Sequence, residues 1–309
     1  MRPRRILALL LALAALPLAV AAAEVRFEPV ADGVYAAIGE TGPRTPANGG
    51  LNANIGLVVT PAGAVLIDAG PSASVAREIA AAVARVTPQP VRWVIDTGEQ
   101  DHRWLGNGWF QAQGAEIIAH AEARADMVDR GNDELQALRT EVGAAAMQGT
   151  TPVLPTRWIA GGDARLELGG VDFEFRHRGG AHTPGDMLVW LPQRGVLFSG
   201  DVVFVDRMLG VLPVSRTRHW LDTFAVIERL RPAVIVPGHG RVTDLATAKA
   251  DTQAVLLALR AQMQKAVDDG VDLAAAVKSF DATPFLRLRN AAELIPAAAS
   301  RTYLEIERE

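Results

Sequence analysis

Val91-Arg92-Trp93-Val94-Ile95-Asp96-Thr97-Gly98-Glu99-Gln100-Asp101-His102-Arg103-Trp104-Leu105-Gly106-Asn107 is the stretch whose reading decides the fold. Its start is short, β-branched and aromatic, which predicts a strand over 91–95 and a loop over 96–106. An apolar strand that ends in polar, metal-competent side chains is how an open α/β sheet delivers groups to one rim. The pattern recurs downstream. Val196-Leu197-Phe198-Ser199-Gly200 runs into Asp201, and Ala233 to Val236 runs into Pro237-Gly238-His239-Gly240. His182 lies in the turn-rich Ala181-His182-Thr183-Pro184-Gly185-Asp186. A carboxylate at the end of a buried run is costly without a partner, so Asp201 calls for a helix cap or a cation. Gly238 and Gly240 allow close backbone packing behind His239. Asp101, His102, His182, Asp201 and His239 together read as a metal site at one rim.

Outward from this stretch, strands and helices alternate. Strands are predicted over 34–38, 55–60 and 64–67, the last two joined by the turn Pro61-Ala62-Gly63. Val75, Ile79, Val83 and Val86 recur at helical spacing and predict a helix over 72–86. A strand over 115–119 and a helix over 121–142 follow, then short strands over 150–175 and a hairpin of 187–191 with 196–198. Trp220, Phe224, Ile227 and Leu230 mark one face of a helix over 219–230. Residues 244–309 read as mainly helical, broken near Thr283-Pro284. Each half is strand-rich at its start and then alternates helix and strand, which predicts an α/β sandwich of mixed sheets with outer helices. The Gly/Pro/Asn-rich loop from Thr41 to Asn54 is a candidate cover for the site.

Composition narrows the function. A formal charge of −4 over 309 residues, with no basic stripe, gives no case for nucleic acid. Arg2, Arg4 and Arg5, the apolar run Leu7 to Val20 and the small residues Ala21-Ala22-Ala23 predict a signal peptide over 1–23 and a periplasmic or secreted protein. No stable membrane insertion is expected after its removal. The chain has no cysteine, which excludes disulfides, a thiolate nucleophile and an iron–sulfur cluster. Any metal must be held by His and carboxylate.

Leu66-Ile67-Asp68-Ala69-Gly70, Asp101-His102-Arg103-Trp104-Leu105-Gly106-Asn107, Ala181-His182-Thr183-Pro184-Gly185-Asp186, Phe198-Ser199-Gly200-Asp201 and Pro237-Gly238-His239-Gly240 resemble the metallo-β-lactamase superfamily in order and approximate spacing. The resemblance covers about residues 34–245. It implies a four-layer αβ/βα sandwich with a metal centre at one sheet edge. The helical segment 246–309 is then an extension packed on the domain formed by 24–245. The family's first motif, His-x-His-x-Asp-His, places Thr97 and Glu99 where its first two His belong. By this resemblance Asp101, His102 and His239 hold one ion, His182 belongs to the depleted first site, and Asp201 bridges. Asp68, Gly70 and Asn107 match positions that support the metal loops. The altered first motif looks like that of periplasmic members linked to sulfur-oxidation and quinoprotein systems.

These oxygen and nitrogen donors suit Zn2+, with Mn2+ or Fe2+ as alternatives, as one ion or two. The expected activity is hydrolysis by metal-bound hydroxide of a small-molecule ester, thioester, lactone or amide. Asp101 would hold the metal or orient water, and Glu99 would serve as ligand or general base. His182 would bind metal or stabilise an oxyanion. The alternative is a metal-binding accessory or carrier without hydrolytic activity, serving a periplasmic redox-system partner. His120 reads as a weaker ligand candidate, and His177 and His219 as surface residues.

Overall fold

A computed structural model describes residues 24–309. The leader expected over 1–23 lies outside the described residues. The first sheet takes its strands in chain order: β1 (Glu28–Ala31), β2 (Val34–Ala37), β3 (Ile55–Thr60), β4 (Gly63–Ile67), β5 (Val91–Ile95), β6 (Glu116–His120) and β7 (Arg157–Ile159). Its β1–β4 half is antiparallel, and from β4 onward neighbours run parallel. Parallel neighbours need crossovers. These are α1 (Ala73–Val86) between β4 and β5, and α2 (Asp101–Trp104) with α3 (Asn107–Ala112) between β5 and β6. A third, α4 (Ala123–Val142), lies between β6 and β7. The α1 helix starts where Ser72 Oγ accepts from Val75 N–H at 3.2 Å, and it ends with Arg85 in its last turn.

The second sheet holds β8 (Asp163–Leu168), β9 (Val171–Arg176), β10 (Leu188–Leu191), β11 (Val196–Phe204) and β12 (Val234–His239), in the order β12-β11-β10-β9-β8. All pairs are antiparallel except β11 with β12, which α5 (Thr217–Leu230) connects. The tail adds α6 (Leu245–Ala248), a π-helical turn (Lys249–Gln253), α7 (Ala254–Asp268), α8 (Leu273–Ser279), a 3-10 turn (Thr283–Phe285) and α9 (Ala291–Ile306). Among the described residues no helix is long and apolar enough to cross a membrane.

The expected α/β sandwich forms in four layers. Val58, Val65, Ile67 and Ile95 of the first sheet meet Phe173, Phe175, Val189 and Phe198 of the second in the central core. Val75, Ile79 and Val83 of α1 and Phe110 of α3 cover the first sheet outside. Trp220 and Phe224 of α5 cover the second sheet and share one apolar cluster with Leu256 and Leu259 of α7 and Ile295 and Tyr303 of α9. Each such side chain contributes roughly 1.5–3 kcal/mol through burial.

Three local expectations are corrected. Residues 96–106 are not all loop, because α2 begins at Asp101 and carries His102 on its first turn. The second strand of the later hairpin does not stop at Phe198. It runs on to Phe204 with every residue buried, and Asp201 sits inside it. The register against β12 shifts on both sides of Gly200, whose φ is +50°, so the break is a bulge within a continuing strand. The edge strand β1 was not foreseen; it contains Pro29, which only an edge position tolerates.

Candidate metal centre

Separate elements bring His102, Asp201 and His239 together: the first turn of α2, the bulge of β11 and the last residue of β12. One donor atom of each lies within 4.8 Å of the others. His102 Nε2 is 3.0 Å from Asp201 Oδ2, and His239 Nε2 is 3.2 Å from Asp201 Oδ1. Glycine makes this approach feasible. A Cβ on Gly238 would lie 2.4 Å from Asp201 Oδ1, and one on Gly240, at φ +91°, would lie 2.0 Å from the Val205 carbonyl oxygen.

The hydrogen bond behind the His239 imidazole sets its tautomer. His239 Nδ1 lies 2.7 Å from the Asn52 carbonyl oxygen, which can only accept, so Nδ1 carries the proton. Burial pushes His239 down to about 3, against the pull of Asp201, so the ring is neutral. Its Nε2 lone pair therefore faces a carboxylate oxygen. His102 lies between two carboxylates, with Nδ1 3.2 Å from Asp101 Oδ1 and Nε2 3.0 Å from Asp201 Oδ2. Lone pair against carboxylate is repulsive until a cation lies between them, and imidazoles oriented through Nδ1–H are the usual metal ligands. The donor set of two nitrogens and a carboxylate fits a divalent ion of the zinc type.

Behind Asp201 stands a second buried charge. Arg103, 1% exposed, binds Asp201 Oδ1 through Nη2, approaches Asp201 Oδ2 through Nε at 3.3 Å, and pairs with Asp68 at 2.8 Å through Nη1. Asp68, with φ +68°, accepts from the Thr97 amide at 2.8 Å and from its hydroxyl at 2.9 Å. Burial alone would raise the Asp201 carboxyl, but positive charge beside it, the Arg103 guanidinium first, outweighs burial and holds it well below the usual range. Arg103 was missed in the sequence. Its only signal was a charge wedged between Asp101-His102 and the apolar Trp104-Leu105.

The remaining candidates lie outside that three-residue group. Asp101 stays outside the three-residue group. Its Oδ1 accepts from the His102 amide at 2.7 Å and from the ring, and its Oδ2 is taken by Arg44. Burial would raise it, yet these bonds hold Asp101 at about 2. His182 donates from Nδ1 to the Gly210 carbonyl at 2.8 Å, and its Nε2 lies 2.8 Å from Gln100 Oε1. Burial lowers it to about 4. Glu99 is turned from the pocket and accepts from Thr183 Oγ1 and Gly185 N–H, both at 2.9 Å. Burial lifts it to about 7 against those donors. Asp186 Oδ1 also lies 2.7 Å from Thr183 Oγ1, and one hydroxyl proton cannot serve both carboxyls, so one of the two keeps its own proton. Asn107 donates to buried Asp96 at 2.7 Å.

His120 stacks on His177 with ring centroids 3.8 Å apart, far from any ligand role, and His177 is buried rather than on the surface. His219 is half-buried and meets the Gly179 carbonyl. The expected cover is present: Pro43, Arg44 and Asn52 of the 41–54 loop line a cavity of about 550 Å3 with His102, His182 and His239. Asn290, Glu293 and Leu294 of the tail form its opposite wall.

The sandwich places a buried His/Asp group that could hold a metal ion beside a pocket at one sheet edge. Residues 48–239 match the model of the metallo-beta-lactamase superfamily, and the chain belongs to that family. It is similar in structure to a metallo-beta-lactamase from Pontibacter korlensis, at 23% identity and a TM-score of 0.59 over 75% of this chain and 99% of that one. It is also similar to Pisa1, a stereoselective inverting sec-alkylsulfatase from Pseudomonas sp., at 18% identity and a TM-score of 0.71 over 90% of this chain. That match spans 50% of the sulfatase, so this chain corresponds to about half of its length. The metallo-beta-lactamase FIM-1 from Pseudomonas aeruginosa, in a mono-zinc form, matches at 20% identity and a TM-score of 0.58, over 75% of this chain and 95% of that one.

Proposed function

We propose that the chain is a metal-dependent hydrolase with a centre of one zinc ion held by His102, Asp201 and His239. The observation that carries this reading is the convergence of His102 Nε2 and His239 Nε2 on the one Asp201 carboxylate. A divalent ion bound there supplies Lewis acidity and acidifies water toward neutrality. The protein's part is orientation. Asn52 fixes the tautomer of His239, Asp101 orients the His102 ring, and Arg103 keeps Asp201 ionised. The His182 ring stands at the pocket wall with Nε2 beside Gln100 Oε1.

The substrate class remains the one proposed from sequence: an ester, thioester, lactone or amide small enough for the pocket. Export through the leader at 1–23 is part of the proposal, and N-terminal sequencing of the mature protein from cell fractions tests it. The central test pairs elemental analysis with a hydrolysis panel across those bond types, before and after chelation. About one zinc per chain with chelator-sensitive turnover supports the reading. No metal after reconstitution overturns it. Stoichiometric metal without turnover on any bond type moves the assignment to a metal-binding accessory protein.

A further inference from the structure

A second cavity, larger than the metal pocket at about 840 Å3, opens between the start of α5 and the end of α9. The segment 210–216 stands between the two: Gly210 and Leu212 line the metal pocket, while Leu212, Ser215 and Arg216 line this cleft. That wall is held fast. Ser215 Oγ donates to the His182 carbonyl at 2.6 Å, and the Arg216 amide donates to the Ala181 carbonyl at 3.0 Å.

The chain carries a formal charge of −4, yet this cleft is basic. Arg216 and Arg218, both exposed, reach it from the N-cap and first turn of α5. Arg301 comes from α9, and exposed Arg308 from the turn that closes that helix, where the Arg308 amide donates to the Glu305 carbonyl at 3.1 Å. The spacing 301, 304, 308 keeps these side chains on one face, with half-buried Leu304 between the two arginines. The cleft's own carboxylates are engaged elsewhere. Glu305 closes the start of α5, accepting from the Thr217 amide at 3.0 Å and its hydroxyl at 2.6 Å, and Glu309 pairs with Arg260 at 2.8 Å. Among the described residues, none of Arg216, Arg218, Arg301 and Arg308 has an ion-pair partner, and Arg301 donates to a neutral acceptor, the Val211 carbonyl.

Such a field draws anions toward a surface that is otherwise acidic. The shape selects among them. One inorganic anion meets one or two guanidiniums, whereas these arginines are spread over two elements with a leucine between them. A lipid surface suits a convex or flat basic face, and this one is concave. Along the helix axis Arg301 and Arg308 stand about 10 Å apart. In an extended polyproline-type peptide, residues three apart lie on one side at about 9 Å, close to that separation.

We propose that this cleft docks an extended acidic peptide segment of a partner protein. Its carboxylates meet Arg301, Arg308 and the arginines of α5, and an apolar side chain rests on Leu304. This is recognition of an acidic motif by an arginine cluster, separate from the chemistry of the metal pocket.

The test is fluorescence anisotropy of the full chain with a short labelled peptide, glutamate throughout save a central leucine. The wild type is expected to bind it saturably, with affinity falling as salt rises. The double variant Arg218→Glu with Arg308→Glu should weaken binding by at least about tenfold. The milder pair Arg218→Gln with Arg308→Gln should lose affinity in the same direction, and both pairs should keep the wild-type melting temperature because the altered side chains are exposed and unpaired. Arg207→Gln, on the wall of the metal pocket, should bind as the wild type does. No saturable binding overturns the proposal, as does unchanged affinity in both double variants. A loss in Arg207→Gln instead would place the peptide in the metal pocket and also overturn it. So would displacement of the peptide by inorganic phosphate at equal charge, which marks a small-anion site, or binding of phosphatidylglycerol vesicles in preference to peptide, which marks a lipid-facing surface. None of these readouts involves zinc, so they stand whatever the metal analysis gives.

Discussion

A proton on the far side of a ring decides what His239 can do. With Nδ1–H given to Asn52, the near nitrogen has only a lone pair to offer. His102→Ala and His239→Ala should therefore each lose stoichiometric zinc, measured by elemental analysis. Asp101→Asn should behave differently, since Asp101 touches His102 rather than the three-residue group. It should weaken zinc affinity by about 10- to 100-fold, as loss of a ligand's orienting partner does. Complete loss of zinc in Asp101→Asn would make Asp101 a ligand after all. Asp96 offers a stability test remote from the metal. It is fully buried, its Oδ1 has no partner among the described residues, and Oδ1 of Asn107 beside it has none either. Burial pushes Asp96 well above the ordinary carboxyl range, against the Asn107 hydrogen bond. A carboxyl raised on folding contributes fully below about pH 3.9, and that contribution is lost as pH rises toward its folded value. Asp96→Asn should thus gain about 1–3 kcal/mol at pH 8 and little at pH 4 in urea unfolding. An equal effect at both pH values would remove ionisation as the cause.

The elements differ in how openly the sequence announced them. Helix α1 was readable from Val75, Ile79 and Val83, because one face is buried and the period shows. The strands β3 to β5 were readable as short apolar runs bounded by turn residues instead. Strand β11 was not, because Ser199-Gly200-Asp201 looks like a terminator while the chain stays extended through it. What keeps it going is a bulge facing Thr97, where a Cβ on Gly200 would lie 2.4 Å from Oγ1, and no local pattern encodes a neighbour from another sheet. The same limit applied to the site. His102, Asp201 and His239 could be picked from strand-end positions, whereas the capture of Asp101 by Arg44 and of Glu99 by Thr183 and Gly185 depends on contacts distant in sequence. The end of β12 is the element most exposed to a single change. Gly240→Ala forces a side chain into the Val205 carbonyl at a left-handed φ, displacing His239. It should cost more than about 1 kcal/mol and lower zinc affinity together, by calorimetry and metal titration. Wild-type stability in that variant would show that the turn can relax.

At the scale of the molecule, metal and tail should be coupled to folding. Zinc binding to the native state alone adds about 4 kcal/mol at a free concentration a thousand times Kd, so chelation should lower the melting temperature by several degrees. An unchanged melting temperature would argue against a resident ion. The tail shares one core with α5, so a chain ending at residue 245 would expose Trp220, Phe224 and their neighbours. Such a truncation should run as aggregate on size exclusion, and a monodisperse product would show the sandwich to be self-sufficient.

His102 and Asp201 stand 99 residues apart, one on the helix that follows β5 of the first sheet and the other inside β11 of the second, with His239 arriving later still on the final strand. An emerging or half-assembled polypeptide therefore lacks the assembled three-residue group. The ion is acquired only after both halves have docked, so the surroundings in which assembly finishes choose it. Transition ions rank by intrinsic affinity in a fixed series that these ligands do little to reorder. Any metal bound at this centre would thus be a record of where the chain matured, and material refolded in copper-rich medium would carry a different and misleading signature.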